Sequence, residues 1–124
     1  MKPITLATLP QATEQEVFDY VAHHLLTQNE KSLSKKYGSV QIGCVYRNQY
    51  NLACAAGCLI AGVEYKAYME GTSWEKLVEV EIVPSNHKEL IMDLQRVHDD
   101  CEIEDWREHL SKVAKEFSLK FNQG

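Results

Sequence analysis

The residues with most scope for chemistry are thiols and imidazoles. Cys44, Cys54 and Cys58 fall in one short stretch, and the last two bracket an apolar turn, Cys54-Ala55-Ala56-Gly57-Cys58. A cysteine just ahead of a short helix meets the positive end of the helix dipole, which lowers a thiol pKa. Cys54 is placed that way if a helix starts at Ala55. His87 or His98 would then serve as base, with Asp99 or Asp100 orienting it, in a thiol-dependent hydrolase or transferase. The same cysteines invite a metal reading, a zinc-stabilised domain with Cys44, Cys54, Cys58 and His87 as ligands. Structural zinc usually uses two tight ligand pairs, and C-x9-C-x3-C has one loose pair and no second. The plainer reading, which the spacing favours, makes the cysteines small buried apolar residues, two of them one helical turn apart. His23 and His24 are adjacent and point different ways around a helix, so they are poor joint ligands. His98 borders an apolar stripe, as a hydrogen-bonded boundary residue would.

A second constellation is built for contact. Arg47 follows an apolar run and precedes a turn, and Tyr46, Tyr50, Tyr65 and Tyr68 lie in neighbouring loops with Glu70. Arginine and tyrosine supply most interface hot spots, so these six form a candidate binding surface; the alternative is a hydrogen-bonded rim around the core. The acidic set Glu64, Glu70, Glu75, Glu79 and Glu81 reads as a solvated face. No Gly-x-Gly-x-x-Gly, P-loop, Gly-x-Ser-x-Gly or His-Glu-x-x-His occurs, so the common nucleotide and hydrolase signatures are missing, and no cofactor is implied.

The elements that must position these groups fit one domain, 1–124. The 124 residues carry a net charge of −5, with 44% apolar and 25% charged residues. That charge opposes a nucleic-acid footprint; the cluster Lys31, Lys35, Lys36 reads as a solvated loop. No segment approaches the roughly 20 apolar residues of a membrane span, and the first residues do not resemble an export signal. The expectation is a cytoplasmic protein with reduced thiols.

Residues 1–12 read as an extended lead-in. Thr13-x-x-Glu16 has the form of a capping box and predicts a helix from about Glu14 to Gln28, with Phe18, Val21, Ala22 and Leu25 buried. Residues 29–39 read as a loop. Val40–Tyr46 is expected to be a strand, turning at 47–51 and pairing back through Leu52–Cys54. A short helix over Ala55–Ala61, a loop over 63–71 and a helix from Ser73 behind a Thr72-x-x-Glu75 capping box follow. Val78–Ile82 alternates like a strand, and periodicity alone leaves it open. Asn86, with Glu89, predicts the cap of a helix reaching about Asp99, with Leu90, Ile91, Leu94 and Val97 inward. The last helix is expected over about Glu104–Leu119 on Trp106, Leu110, Val113, Ala114 and Phe117. The expected class is α+β: a mainly helical single domain with one small β-hairpin.

The string Cys44-x-Tyr46-Arg47, Cys54-Ala55-x-Gly57-x-Leu59-Ile60, Glu64-Tyr65 and Glu70-Gly71 resembles a family of small uncharacterised proteins of tailed bacteriophages and bacterial genomes. The resemblance also takes in Glu16-Val17-Phe18-Asp19 and the later Leu90-Ile91, Leu94-Gln95 and His98-Asp99, and runs from about Thr13 to Leu119. It departs after Ile60, where the family tends to carry Pro-Asp and this chain has Ala61-Gly62. The resemblance implies a phage-type accessory protein in the bacterial host cytosol. Its expected action is to bind a host protein or a small ligand without catalysis, with no nucleic-acid or membrane partner.

Overall fold

The computed structural model describes residues 2–36 and 40–121. The chain opens with a 3-10 turn at Leu9–Gln11 that buries Leu9. Helix α1, Glu14–Gln28, starts at a complete capping box: Thr13 accepts from the Glu16 N–H, and the Glu16 carboxylate takes the Thr13 N–H at 2.8 Å. It ends at Asn29, whose left-handed backbone (φ 52°) closes the last turn. Strands β1 (Leu33–Lys36) and β2 (Val40–Cys44) then pair antiparallel. Three helices complete the order: α2 (Trp74–Glu79), α3 (Lys88–Asp100) and α4 (Trp106–Glu116). Short 3-10 turns at Gly57–Leu59, Ala67–Met69 and Ile103–Asp105 punctuate the connections.

The α+β expectation is corrected: this is a small, mainly helical domain, and the expected hairpin of Val40–Tyr46 with Leu52–Cys54 does not form. The two short strands pair with each other, so part of the expected 29–39 loop is extended, while residues 37–39 of that loop and the side chains of Lys35 and Lys36 lie outside the described residues. From the segment expected as the returning strand only one bridge survives, Arg47 to Ala53. Side chains of α1 take a partner strand's place: Gln28 Oε1 accepts from the Ala53 N–H at 3.1 Å, while Gln28 Nε2 and His24 Nε2 donate to the Ala53 carbonyl at 2.9 and 2.8 Å. Ala53 is the non-hydrogen-bonded member of that bridge, flanked by the Asn48 N–H to Leu52 carbonyl bond at 3.0 Å and the Cys54 N–H to Tyr46 carbonyl bond at 3.3 Å, so these side chains satisfy its outward-facing groups.

Other boundaries shift for local reasons. The expected helix over Ala55–Ala61 is only the 3-10 turn. The cap of α2 is Ser73, whose hydroxyl accepts from the Lys76 N–H at 3.1 Å, not Thr72. Val78–Ile82 is no strand, because the Leu77 carbonyl accepts from both Ile82 and Val83 and wraps the end of α2. The cap of α3 is His87, in left-handed backbone (φ 62°), rather than Asn86.

The core is one cluster that joins all the α-helices, with Phe18, Leu25, Leu77, Leu90, Leu94, Trp106 and Leu110 almost wholly buried. Burying each such side chain stabilises by roughly 1.5–3 kcal/mol, so the amphipathic stripes of α1, α3 and α4 fix the frame. Val113 and Phe117, expected inside, are only partly covered. Among the described residues no helix is long and apolar enough to cross a membrane.

Candidate functional site

Between α1 and α2 the chain has little regular structure, and polar side chains fasten it. Glu70 accepts from the Tyr46 N–H (2.9 Å), the Arg47 N–H (3.1 Å) and the Tyr65 hydroxyl (2.7 Å). Glu64 does the same for Leu6, Ala7 and Ala61, taking their N–H groups at 2.9, 3.0 and 2.9 Å. A proline at position 61 would have no N–H to give, so Ala61 suits this fastening. The Arg47 guanidinium donates to the Ile60 carbonyl (2.9 Å) and Asn51 Oδ1 (3.0 Å) and lies over the Tyr65 ring at 6.0 Å. Gly57 lets the two limbs of the segment touch: a Cβ there would sit 2.1 Å from the Tyr46 carbonyl oxygen.

This scaffold leaves a cleft of about 300 Å³ between the end of β2, residues 70–75 and α3. Tyr46, Cys54, Trp74 and Met92 supply apolar surface, and Glu70, Gln95 and Asp99 supply polar groups. Gln95 is itself braced, accepting from the Ala56 N–H at 2.8 Å. A larger hollow of about 550 Å³ lies beneath the N-terminal turn, lined by residues such as Lys2, Ile4 and Glu16, and none of the candidate side chains reaches it.

Asp99 lines the cleft, and His98 is buried next to it. The His98 ring is fully buried, stacked on Trp106 with centroids 5.6 Å apart. The Ser32 N–H can only donate, and it points at His98 Nε2 at 2.9 Å. Nε2 is therefore the bare nitrogen, and Nδ1 carries the proton it donates to Asp99 Oδ1 at 2.7 Å. Gln95 Nε2 donates to the same oxygen at 2.7 Å. Burial alone would raise the Asp99 pKa, but the donors His98, Cys44 and Gln95 outweigh it and hold the carboxyl below its usual range. Cys44 stands beside this pair, with one ligand atom from each of Cys44, His98 and Asp99 lying within 4.8 Å of one another.

That trio is a poor metal site. A metal-bound histidine normally donates its second ring N–H outward, whereas His98 accepts there, so a metal on Nδ1 would require an imidazolate. The set suggested by sequence, Cys44, Cys54, Cys58 and His87, is not gathered among the described residues. Cys58 donates its thiol to the Ala55 carbonyl at 3.1 Å, and His87 Nε2 meets the Ala12 carbonyl at 2.7 Å.

The thiols are not poised as nucleophiles. Cys54 is buried and its Sγ accepts from the Gly57 N–H at 3.3 Å. Burial pushes its pKa up to about 12 despite that donor. Burial, with the Asp99 carboxylate second, pushes Cys44 up to about 12 as well. The expected dipole of a helix at Ala55 is weak because only a 3-10 turn forms, and both nitrogens of His98 are engaged elsewhere.

Of the residues singled out in the sequence, Cys44, Tyr46, Cys54, Glu70 and Asp99 meet at the cleft. Tyr50 and Tyr68 stay exposed on loops, and Arg47 and Tyr65 fasten the scaffold. Sequence reasoning missed Ser32, Trp74, Met92 and Gln95. Only Gln95 carried a signal, since it lies one turn before Asp99 on the polar side of α3. No protein-family model, curated protein or solved structure matches this chain.

Proposed function

We propose that this protein acts by binding a small molecule in the cleft walled by Tyr46, Trp74, Gln95 and Asp99, without catalysing a reaction on it. One observation carries this reading. Cys44, Tyr46, Cys54, Glu70 and Asp99, drawn from separate parts of the chain, converge on one partly apolar cleft in which few polar groups are held in fixed positions. Binding sites combine an apolar lining with a few well-placed polar groups. The thiol-dependent alternative needs an ionised Cys54, and the surroundings of Cys54 favour the neutral thiol. The accessory role in a bacterial host cytosol is part of the proposal and draws on the family resemblance alone. A second reading, a protein partner, draws on Tyr50, Val63 and Tyr68, which are 65, 88 and 64% exposed on the loops that Arg47 ties together.

The test is a fragment screen on ¹⁵N-labelled protein. Binders should shift the Trp74 indole and Gln95 side-chain amide signals saturably. Hits that all map elsewhere, or none from several hundred fragments, would reject the cleft as the site.

A further inference from the structure

We infer that the ligand class of this cleft is a small organic cation, an alkylammonium with its carbon chain on the apolar surface and its charge toward Asp99 and Glu70; this rests on the binding reading above. Charge balance is the ground for it. Among the described residues neither carboxylate has a lysine or arginine partner within salt-bridge distance: Glu70 is satisfied by two backbone N–H groups and a phenol, and Asp99 by neutral donors from His98 and Gln95. The basic groups near the cleft are engaged elsewhere, the Arg47 guanidinium by the Ile60 carbonyl and Asn51 Oδ1. Arg96 pairs with Asp93 on its own helix, and Lys88 pairs with Glu75 at 3.9 Å. Lys31 donates to the backbone carbonyl of Asp99 at 3.4 Å, not to its carboxylate.

Two pinned carboxylates beside partly desolvated aromatic surface make a field that favours a positive charge and disfavours a negative one. The neighbouring acids feel it, since both Glu70 and Asp99 add to the burial that raises Tyr46 and Cys54. Tyr46 and Trp74, packed edge to face with centroids 6.4 Å apart, supply apolar surface for the carbon chain. The small volume, about 300 Å³, is at the low end for ligand sites and suits a compact amine.

The experiment titrates three matched probes, butylammonium, 1-butanol and butyrate, into ¹⁵N-labelled protein while following the Trp74 indole and Gln95 amide signals. Butylammonium should bind saturably and at least tenfold more tightly than the other two. Its Kd should rise several-fold between 50 and 500 mM NaCl. Asp99→Asn keeps an acceptor for His98 and should raise the Kd about tenfold. Arg96→Gln, on the exposed face and independent of the core, should lower it two- to threefold. Equal binding of 1-butanol or butyrate, or an Arg96→Gln variant that binds no better than wild type, overturns the cation class while leaving the cleft as a site. Probes and fragments that all leave both signals unmoved overturn the site itself.

Discussion

Replacing Gly57 by alanine places a Cβ 2.1 Å from the Tyr46 carbonyl oxygen, 2.8 Å from its carbon and 3.0 Å from its Cα. All three are backbone atoms, so no side chain can swing aside. The closest common carbon–oxygen contacts lie near 3.3 Å, so the two limbs must part by about 1.2 Å. That displacement breaks the Cys54 N–H bond to the Tyr46 carbonyl, already 3.3 Å long, and strains the hold of Glu70 on Tyr46 and Arg47. Overpacking costs about 1–3 kcal/mol, and a buried donor left unmade adds about 1–3 kcal/mol. A loss of about 2–6 kcal/mol follows. A chain of this size loses roughly 3–5 °C of Tm per kcal/mol, which gives a fall of roughly 6–30 °C in thermal unfolding followed by circular dichroism. Gly62→Ala is the matched control: its Cβ would meet nothing within 4 Å and its backbone is not in the left-handed region. It should be neutral or raise stability by up to about 1 kcal/mol through the unfolded chain. If Gly57→Ala melts within 2 °C of wild type, or no lower than Gly62→Ala, the close approach of the two limbs is not what holds this segment.

Glu70→Gln turns one of two fully engaged acceptors into a donor facing donors, and should lower unfolding stability in urea by about 1–3 kcal/mol; an unchanged urea midpoint would deny Glu70 its fastening role. At pH 7, Cys44 and Cys54 in the folded protein should react with a thiol reagent at least tenfold more slowly than in guanidinium, since both thiols are pushed up to about 12. A fast phase traced to Cys54 would revive thiol chemistry. Burial lowers the folded-state pKa of His24, and hydrogen bonds lower that of Asp99. In both cases the unfolded chain takes the proton first, so stability is full at neutral pH and falls on acidification. The His24 contribution fades below about pH 6.5 and the Asp99 contribution below about pH 4. His24→Gln should flatten the upper part of that profile and Asp99→Asn the lower part; a wild-type stability that is constant from pH 7 to 3 contradicts both.

What could be read ahead of the structure was what is decided locally. The Thr13–Glu16 box and the stripe Phe18, Val21, Ala22, Leu25 specify α1 within the helix itself. The stripe of α3 was readable for the same reason. The errors occur where distant groups substitute for local ones. Leu52–Cys54 returns against Tyr46–Asn48 for one bridge, and its outer edge is held by Gln28 and His24, far away in sequence, instead of by a further strand. Ser73 and Thr72 are equally good caps by type, and the Thr72 carbonyl is committed to the Tyr46 hydroxyl at 2.5 Å. The cleft was half visible for a related reason. Its chemical residues stood out by type, while Trp74 and Met92 look like any core side chains until the fold places them at its wall.

The residues that carry the resemblance can be explained without chemistry. Gly57 admits the Tyr46 backbone, Glu64 and Glu70 hold six donors between them, Tyr65 and Arg47 lie against each other, and Cys54 accepts from a backbone N–H. Each does for irregular chain what a ladder does for a sheet. A pattern made of such fasteners specifies a scaffold and is silent about what the scaffold binds. Binding choice then falls to the side chains that line the cleft, Trp74 and Met92 outside the pattern and Gln95 and Asp99 in its later part. Of these, Trp74 and Met92 can vary in size without breaking a hydrogen bond to the scaffold, because the Trp74 indole N–H has no partner among the described residues. Gln95 and Asp99 hold both jobs at once, since the bonds that fix them to Ala56 and His98 also aim them at the cleft. Changes there should alter affinity and stability together, whereas changes at Met92 should alter affinity with little effect on stability. That difference separates the cleft from its scaffold.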